Sequence, residues 1–177
     1  MDDAALLRSI PAIKASLGGM TREQLVRVWQ NTVEAQGRTQ DAAFWSATEQ
    51  LLDAVDAAFA APERRGQKDF LDEGPLGLLG YHVGRRAGLS AAQRQALLSA
   101  IYRRPIPQLF PPHYLAEWGD PQTPQRLQRM IRAIDGFMRD PKRRNDPRLD
   151  DAMAEWQEDL DYLRREYHSG TFSWPAI

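Results

Sequence analysis

Residues 123–139 of the chain read TPQRLQRMIRAIDGFMR, and this stretch decides the fold class. Thr123 followed by Pro124 is typical of a helix start, because the threonine side chain caps free backbone amides and proline fits the first turn. The apolar side chains that follow recur every three or four residues and lie within about 120° of a helical wheel. They are Leu127, Met130, Ile131, Ile134, Phe137 and Met138. The stretch therefore predicts an amphipathic helix that buries one face.

A second helix is predicted directly after it, with a narrower apolar seam. The seam residues follow one another at spacings of 4, 3, 4, 3 and 4, as in a coiled coil. They are Leu149, Met153, Trp156, Leu160, Leu163 and Tyr167. The acids of this segment are assigned to the opposite face, where we expect water to surround them, and they include Asp151, Glu155, Glu158 and Asp159.

The rest of the chain shows the same helical periodicity and lacks the alternating β-branched runs of strands. Thr21 with Gln24, and Ser90 with Gln93, each form the capping-box pattern of a helix start. Prolines at 105, 107, 111 and 112 forbid regular helix through residues 104–112 and predict a rigid connector. We predict a compact all-α bundle of about six helices with this proline-rich connector.

We expect one domain over residues 1–177. It comprises N-terminal helices in 1–62, a main helical core in 74–168 and a tail in 169–177 whose aromatic side chains pack back. Within this frame the first helix is expected to be interrupted near Pro11, and a helix opening at Gly74 is expected to continue to Gly88. The predicted core consists of Trp29, Phe44, Leu52, Leu79, Leu98, Ile131, Ile134, Trp156 and Leu160.

The composition excludes several classes of function. The chain has 177 residues and a formal net charge of −1, which argues against a uniformly basic nucleic-acid coat. It has no cysteine, so disulfides, thiolate zinc sites and cysteine nucleophiles are excluded. No signal-like start and no long apolar run is visible, so we expect a cytoplasmic protein without a membrane partner. No motif indicates a cofactor.

The near-neutral total conceals two opposed blocks of charge. Residues 126–148 carry eight basic and three acidic side chains, and residues 149–166 carry seven acidic and two basic ones. The candidate binding residues of the basic block are Arg139, Lys142, Arg143, Arg144 and Arg148. Solvated or internally paired charge, contact with nucleic-acid phosphates and contact with an acidic protein are all open interpretations.

A second candidate contact lies at Glu117 and Trp118, which precede Gly119 and Pro121. The Trp-Gly pair beside a proline predicts a tight turn. Two interpretations remain open for it, a purely structural turn and a recognition surface.

The segment from Gly77 to Gly84 invites comparison with phosphate-binding loops. It lacks the spacing of the known glycine motifs and has no preceding strand, so we interpret its glycines as close packing on a buried helix. His82 lies within it, and the other two histidines, His113 and His168, are far apart in the chain. No metal-ligand spacing is present, and no metal site is predicted.

Taken as a set, these motifs resemble a small bacterial domain of uncharacterised function. The residues that carry the resemblance are Gly80, Tyr81, Val83, Gly84, Gly88, Leu89, Arg94, Glu117, Trp118, Gly119, Pro121, Arg126, Leu127, Met130, Lys142, Arg143, Arg144, Trp156, Asp159 and Leu160, with Trp29 and Asn31 near the start. The resemblance implies a single compact unit and brings no activity with it.

The sequence thus favours a non-catalytic interaction or accessory module that binds a macromolecular partner, because segregated charge is present and catalytic motifs are not. Nucleic-acid binding through residues 139–148 is the alternative. An enzyme that uses His82 or His113 with a carboxylate is the third hypothesis, and a deep pocket that holds one of these histidines beside an acid would favour it.

Overall fold

The computed structural model describes residues 3–39, 41–61, 74–84, 89–140 and 146–174. Over these ranges the regular structure is helical and contains no strand. The α-helices are α1 (Asp3–Ser16), α2 (Arg22–Gln36), α3 (Ala42–Phe59), α4 (Pro75–Leu78), α5 (Ala91–Arg103), α6 (Pro112–Trp118), α7 (Pro124–Arg139) and α8 (Asp150–Tyr167). The all-α prediction is confirmed. The described helices number eight rather than about six, because the short α4 and α6 add to six longer ones.

Both predicted capping boxes are present. The Thr21 side chain accepts a hydrogen bond from the Gln24 amide at 3.3 Å, and the Thr21 amide donates to Gln24 Oε1 at 2.7 Å. Ser90 and Gln93 repeat the arrangement at 3.3 and 2.8 Å. Since such boxes satisfy backbone donors that a helix start leaves free, they fix where α2 and α5 begin.

Two local predictions are wrong. Pro11 does not interrupt the first helix, which runs through it from Asp3 to Ser16. The helix that opens at Gly74 ends at Leu78 instead of continuing to Gly88, and Gly80 and Gly84 adopt φ values of +90° and +86°. Because side chains are strained at positive φ, these glycines shape a loop and do not serve as small contact points on a helix.

The core extends through α2, α3, α5, α7 and α8 as one apolar cluster. All nine core residues predicted from the sequence are buried. Helix α5 is central, since it packs against α2, α7 and α8. The tail aromatics Phe172 and Trp174 pack against the same cluster, as the sequence predicted.

The proline-rich connector between α5 and α6 has no regular helix, as predicted. It is nevertheless anchored in the core, because Ile106, Leu109 and Phe110 are all buried. These buried side chains therefore hold the connector in place between the end of α5 and the start of α6.

Candidate functional site

Arg126, at the start of α7, holds the ends of α5 and α6 together. Its side chain is buried, and its guanidinium donates four hydrogen bonds to backbone carbonyls. Two of them, at 2.7 and 2.9 Å, reach Ile101 and Arg104 at the end of α5, and two, at 3.0 and 2.7 Å, reach Trp118 and Gly119 at the end of α6. Carbonyls at helix ends lack partners inside the helix and carry the negative end of its dipole, so a cation is favoured there.

Burial lowers the pKa of Arg126 to about 10, because the charged form is desolvated. Its charge is thus directed inward, to carbonyl dipoles of two helices. Arg126 belongs to the basic stretch 126–148 of the sequence, but its side chain lies inside the fold.

A groove of about 730 Å³ lies beside Arg126, where the connector, α6 and the start of α7 meet. We call it the connector groove. Its volume falls within the range of about 300–1,000 Å³ that is typical of ligand pockets. Its apolar lining comprises Pro105, Ile106, Phe110, Pro112, Leu115 and Pro121.

The charge that this groove presents to solvent is negative. Of the two ionisable residues among its described lining, Arg126 is only 2% exposed and directed to carbonyls, whereas Asp120 is exposed. The amide side chains of Gln108 and Gln125 add exposed polar groups to the lining. The groove therefore combines apolar walls with a carboxylate at its margin.

The predicted contact residues Glu117 and Trp118 lie behind this groove. Trp118 is buried, and the guanidinium of Arg129 stands 5.8 Å from the centres of both its ring and that of Tyr114. Glu117 is exposed and accepts a hydrogen bond from Arg129 at 3.1 Å. Trp118 thus supports the turn at Gly119 from inside, and a binding role for the pair stays a prediction.

A smaller cavity of about 260 Å³ lies on another side of the connector and shares Pro105, Ile106 and Gln108 with the groove. It also contains Asp56 of α3, whose carboxylate pairs with Arg104 at 2.8 Å. Desolvation outweighs the attraction of Arg104 and raises the pKa of Asp56 to about 6, and its Oδ1 atom is buried without a hydrogen-bond partner. A carboxylate therefore lies on each side of the connector.

The residues around Tyr81 form a buried polar network between the loop after α4, α5 and α8. Tyr81 donates to Asp159 Oδ2 at 2.8 Å, and Arg94 Nε donates to the same oxygen at 2.9 Å. Arg94 also pairs with Glu158 at 2.6 Å and with Glu155 at 3.5 Å. Several residues that carried the resemblance are therefore brought together here as structural contacts.

This network corrects the prediction of a solvated acidic face on α8. Asp159 is fully buried, and desolvation raises its pKa despite the hydrogen bonds from Tyr81 and Arg94. It lies next to the seam residue Leu160, so the apolar contact of α8 draws it inside. Asp151 and Glu158 are exposed, as predicted.

The basic block is only partly described. Lys142, Arg143 and Arg144 lie outside the described residues. Arg139 pairs with Asp135 one turn earlier at 2.7 Å, and Arg148 pairs with Asp146 at 2.7 Å while remaining 87% exposed. Hydrogen bonds from Arg148 lower the pKa of Asp146 to about 2. A partner role for the block stays a prediction.

Sequence reasoning missed three buried arginines, Arg94, Arg104 and Arg126. The signal was present for two of them. Arg94 lies one helical turn before Leu97 and Leu98 on the apolar face of α5, and Arg126 lies one turn before Met130 at the edge of the α7 face. An arginine that falls at the helical spacing of the apolar face is predicted to be buried and paired with hydrogen-bond or ionic partners.

The histidines do not converge. His82 and His113 are exposed, on the loop after α4 and on α6, while the ring of His168 lies 2.7 Å from the Phe172 carbonyl in the tail. The described residues hold no cluster of three or more histidine or acidic side chains suited to a metal ion. Nor is any described helix long and apolar enough to cross a membrane.

Comparisons with protein-family models, with curated proteins and with solved structures find no match to this chain. The resemblance to a small bacterial domain therefore stays a prediction.

Proposed function

We propose that the chain is a non-catalytic interaction module that binds an extended, cationic segment of a partner protein in the connector groove. The observation that carries this proposal is the grouping of four exposed or half-exposed apolar residues in the lining of the groove, Pro105, Pro112, Leu115 and Pro121. Elsewhere in the described ranges, the one large hydrophobic side chain that is strongly exposed is Leu7. An apolar concavity on an otherwise polar surface is typical of a binding site.

The electrostatics of the groove support a cationic occupant. Asp120 presents an exposed carboxylate at the margin, whereas the Asp56 carboxylate of the adjoining cavity is already paired with Arg104. The nearby cations Arg104 and Arg126 are buried and paired with α3 carboxylates and with helix-end carbonyls. A lysine or arginine of the partner would pair directly with the exposed Asp120 carboxylate, which attracts the buried Arg126 charge but forms no salt bridge among the described contacts.

The rigidity of the groove walls supports an extended segment. The connector is held by three buried side chains and by prolines with fixed φ, and Arg126 holds the ends of α5 and α6. Preformed walls reduce the entropy lost on binding, which favours short linear segments. Proline-rich segments have a preformed extended conformation and therefore lose little entropy when they bind.

The experiment is a selection of linear peptides from a random library on the purified protein, followed by affinity measurements. We expect the selected peptides to be enriched in lysine or arginine beside proline or aliphatic residues. Leu115→Lys, which places a like charge in the groove, is expected to weaken them at least about tenfold. Asp120→Asn is expected to weaken them about two- to fivefold.

Matched controls separate the groove from the general surface. Leu7→Lys introduces the same charge on α1, and Asp161→Asn removes an exposed carboxylate from α8. Neither is expected to change peptide affinity. Failure to select any peptide, or equal effects of groove and control variants, would contradict the proposal.

Nucleic-acid binding is tested on the same protein. The two described arginines of the basic block, Arg139 and Arg148, each pair with a nearby carboxylate, which lowers the charge they offer to phosphates. Binding of DNA or RNA that falls steeply with salt, and that is lost when Lys142, Arg143 and Arg144 become alanine, would favour that alternative over the groove.

A further inference from the structure

A third cavity, of about 500 Å³, lies between α2, the loop after α4 and the first half of α5. Its described lining is more polar than that of the connector groove, because it combines four hydrogen-bonding side chains with a smaller apolar patch. The polar lining residues are Gln30, Asn31, Glu34 and His82, and the apolar ones are Val83, Leu89 and Leu97. We call it the His82 cavity.

The loop that carries His82 is fixed on both sides of the histidine. On one side, Tyr81 donates its hydroxyl hydrogen bond to the buried Asp159 at 2.8 Å. On the other side, the Gly84 amide donates to Glu155 at 2.6 Å. An exposed imidazole held between two such anchors loses little backbone freedom when it binds a ligand.

A glycine sets the distance between this loop and α2. Gly80 adopts φ of +90°, and a side-chain carbon placed there would lie 3.1 Å from the amide nitrogen of Gln30. That nitrogen donates to the Leu78 carbonyl at 3.0 Å, which ties α2 to the end of α4. The sequence Gly80-Tyr81-His82 thus places the imidazole in the same cavity as the polar face of α2.

Glu34 is held with one oxygen engaged. Its Oε1 atom accepts hydrogen bonds from Gln93 at 2.7 Å and from Arg38 at 3.3 Å. Its Oε2 atom has no hydrogen-bond partner among the described contacts. Arg38 pairs with Oε1 alone, so this pair leaves Oε2 available to a ligand. No lysine or arginine is among the described lining residues of the cavity.

We propose that the His82 cavity binds a small organic amine. The ammonium group binds Glu34 Oε2, a second polar group of the ligand hydrogen-bonds to His82 or Asn31, and the ligand's apolar body lies on Val83, Leu89 and Leu97. A carboxylate ligand is disfavoured because it would meet Glu34 with like charge. This site is separate from the connector groove, so the two proposals stand or fail independently.

The test is an NMR titration with two amines, tyramine and histamine, and with their carboxylate counterparts, 4-hydroxyphenylacetate and imidazole-4-acetate. We expect the amines at millimolar concentration to shift the ring signals of His82 and the methyl signals of Leu89 and Leu97. We expect the carboxylates to leave these signals in place. No response to either amine, or an equal response to the carboxylates, would overturn the proposal.

Variants identify the residues that bind. Glu34→Gln keeps an oxygen that accepts from Gln93 but removes the charge, and it is expected to weaken amine binding by about fivefold or more. Glu23→Gln, an exposed site on the same helix, is the matched control. His82→Asn is expected to weaken binding, with the exposed His113→Asn as its control. Unchanged affinity in Glu34→Gln, with a dispersed spectrum that shows an intact fold, would refute the assignment.

Discussion

At the scale of single residues, three arginines that would be expected at the surface from the sequence are buried. The charge of each one is compensated by a different set of partners. Arg94 binds carboxylates of α8, Arg104 binds carboxylates of α3, and Arg126 binds carbonyls at the ends of two helices. Since a buried charge is costly unless it is paired or hydrogen-bonded, each arginine commits the elements it joins to one arrangement.

Arg126 gives the sharpest stability prediction. Arg126→Met keeps most of the side-chain volume but leaves four carbonyls without their donor, so we expect the free energy of unfolding to fall by at least about 3 kcal/mol. Arg132→Met changes an exposed arginine of the same helix and is expected to change it by less than about 0.5 kcal/mol. Urea denaturation followed by circular dichroism measures both, and similar values for the two variants would contradict the role of Arg126.

Asp56 gives a prediction for pH. Its folded pKa of about 6 lies above its ordinary value of 3.8, so the folded state binds this proton more tightly than the unfolded state. The stability that protonation of Asp56 provides is therefore full below about pH 4 and is lost as the pH rises through 6. Asp56→Asn, relative to the unaltered protein, is expected to be more favourable at pH 7 than at pH 4.

The control for this prediction is Asp53→Asn. Asp53 binds the same arginine, Arg104, but its side chain is 72% exposed. The difference between the effects at pH 4 and pH 7 is expected to be larger for Asp56→Asn than for this control. The measurement is the free energy of unfolding of both variants and of the unaltered protein at pH 4 and pH 7. A pH-independent effect of Asp56→Asn would show that the pKa of Asp56 is not raised in the folded state.

At the scale of elements, what could be predicted depended on how far apart the interacting residues lie in the chain. The capping boxes at Thr21 and Ser90 join residues three apart, so the local sequence contains all of the information. The helix count and the loop after α4 depend on distant contacts. Tyr81 and Asp159 are 78 residues apart, and no periodicity in either segment indicates that they meet.

The candidate sites also depend on contacts between distant residues, so they could be predicted only in part. The sequence indicated His82 and a turn at Gly119, but the cavities beside them form only when α2, α5, α6 and α7 pack together. A groove is a property of the packed elements. The lining of the His82 cavity comes from residues between 30 and 97, and that of the connector groove from residues between 105 and 126, so no single short motif predicts either one.

The loop after α4 gives a prediction at this scale. The hydrogen bond from the Gly84 amide to Glu155 at 2.6 Å docks the loop on α8. In Glu155→Ala we expect hydrogen exchange of the Gly84 amide to accelerate about tenfold or more, because its acceptor is lost. The amide of Leu98, inside α5, is expected to keep its protection.

Asp161→Ala serves as the control for this loop, since Asp161 is an exposed acid of the same helix. It is expected to leave Gly84 exchange unchanged. Acceleration at Gly84 that is no greater in Glu155→Ala than in the control would show that the loop is held by other contacts.

At the scale of the whole molecule, oppositely charged side chains from distant segments pair in the folded chain. Three acids of α8 bind Arg94 of α5, and three acids of α3 bind Arg104 at the end of the same helix. These acids of α8, which follow the basic stretch 126–148 in the sequence, thus pair with Arg94 of α5. Helix α5 joins the N-terminal helices to the last one through both packing and charge.

This arrangement predicts that the molecule unfolds as one unit. Leu98 lies at the centre of α5 and is fully buried, and α5 packs against α2 on one side and α7 and α8 on the other. Leu98→Ala is therefore expected to lower the free energy of unfolding by about 2–5 kcal/mol and to shift both sides together. Fluorine NMR of 5-fluorotryptophan-labelled protein follows Trp29 of α2 and Trp156 of α8 in one urea titration. Coincident midpoints in the unaltered protein and in the variant are the expected outcome, whereas an α2 signal that unfolds separately from the α8 signal would divide the chain into two domains.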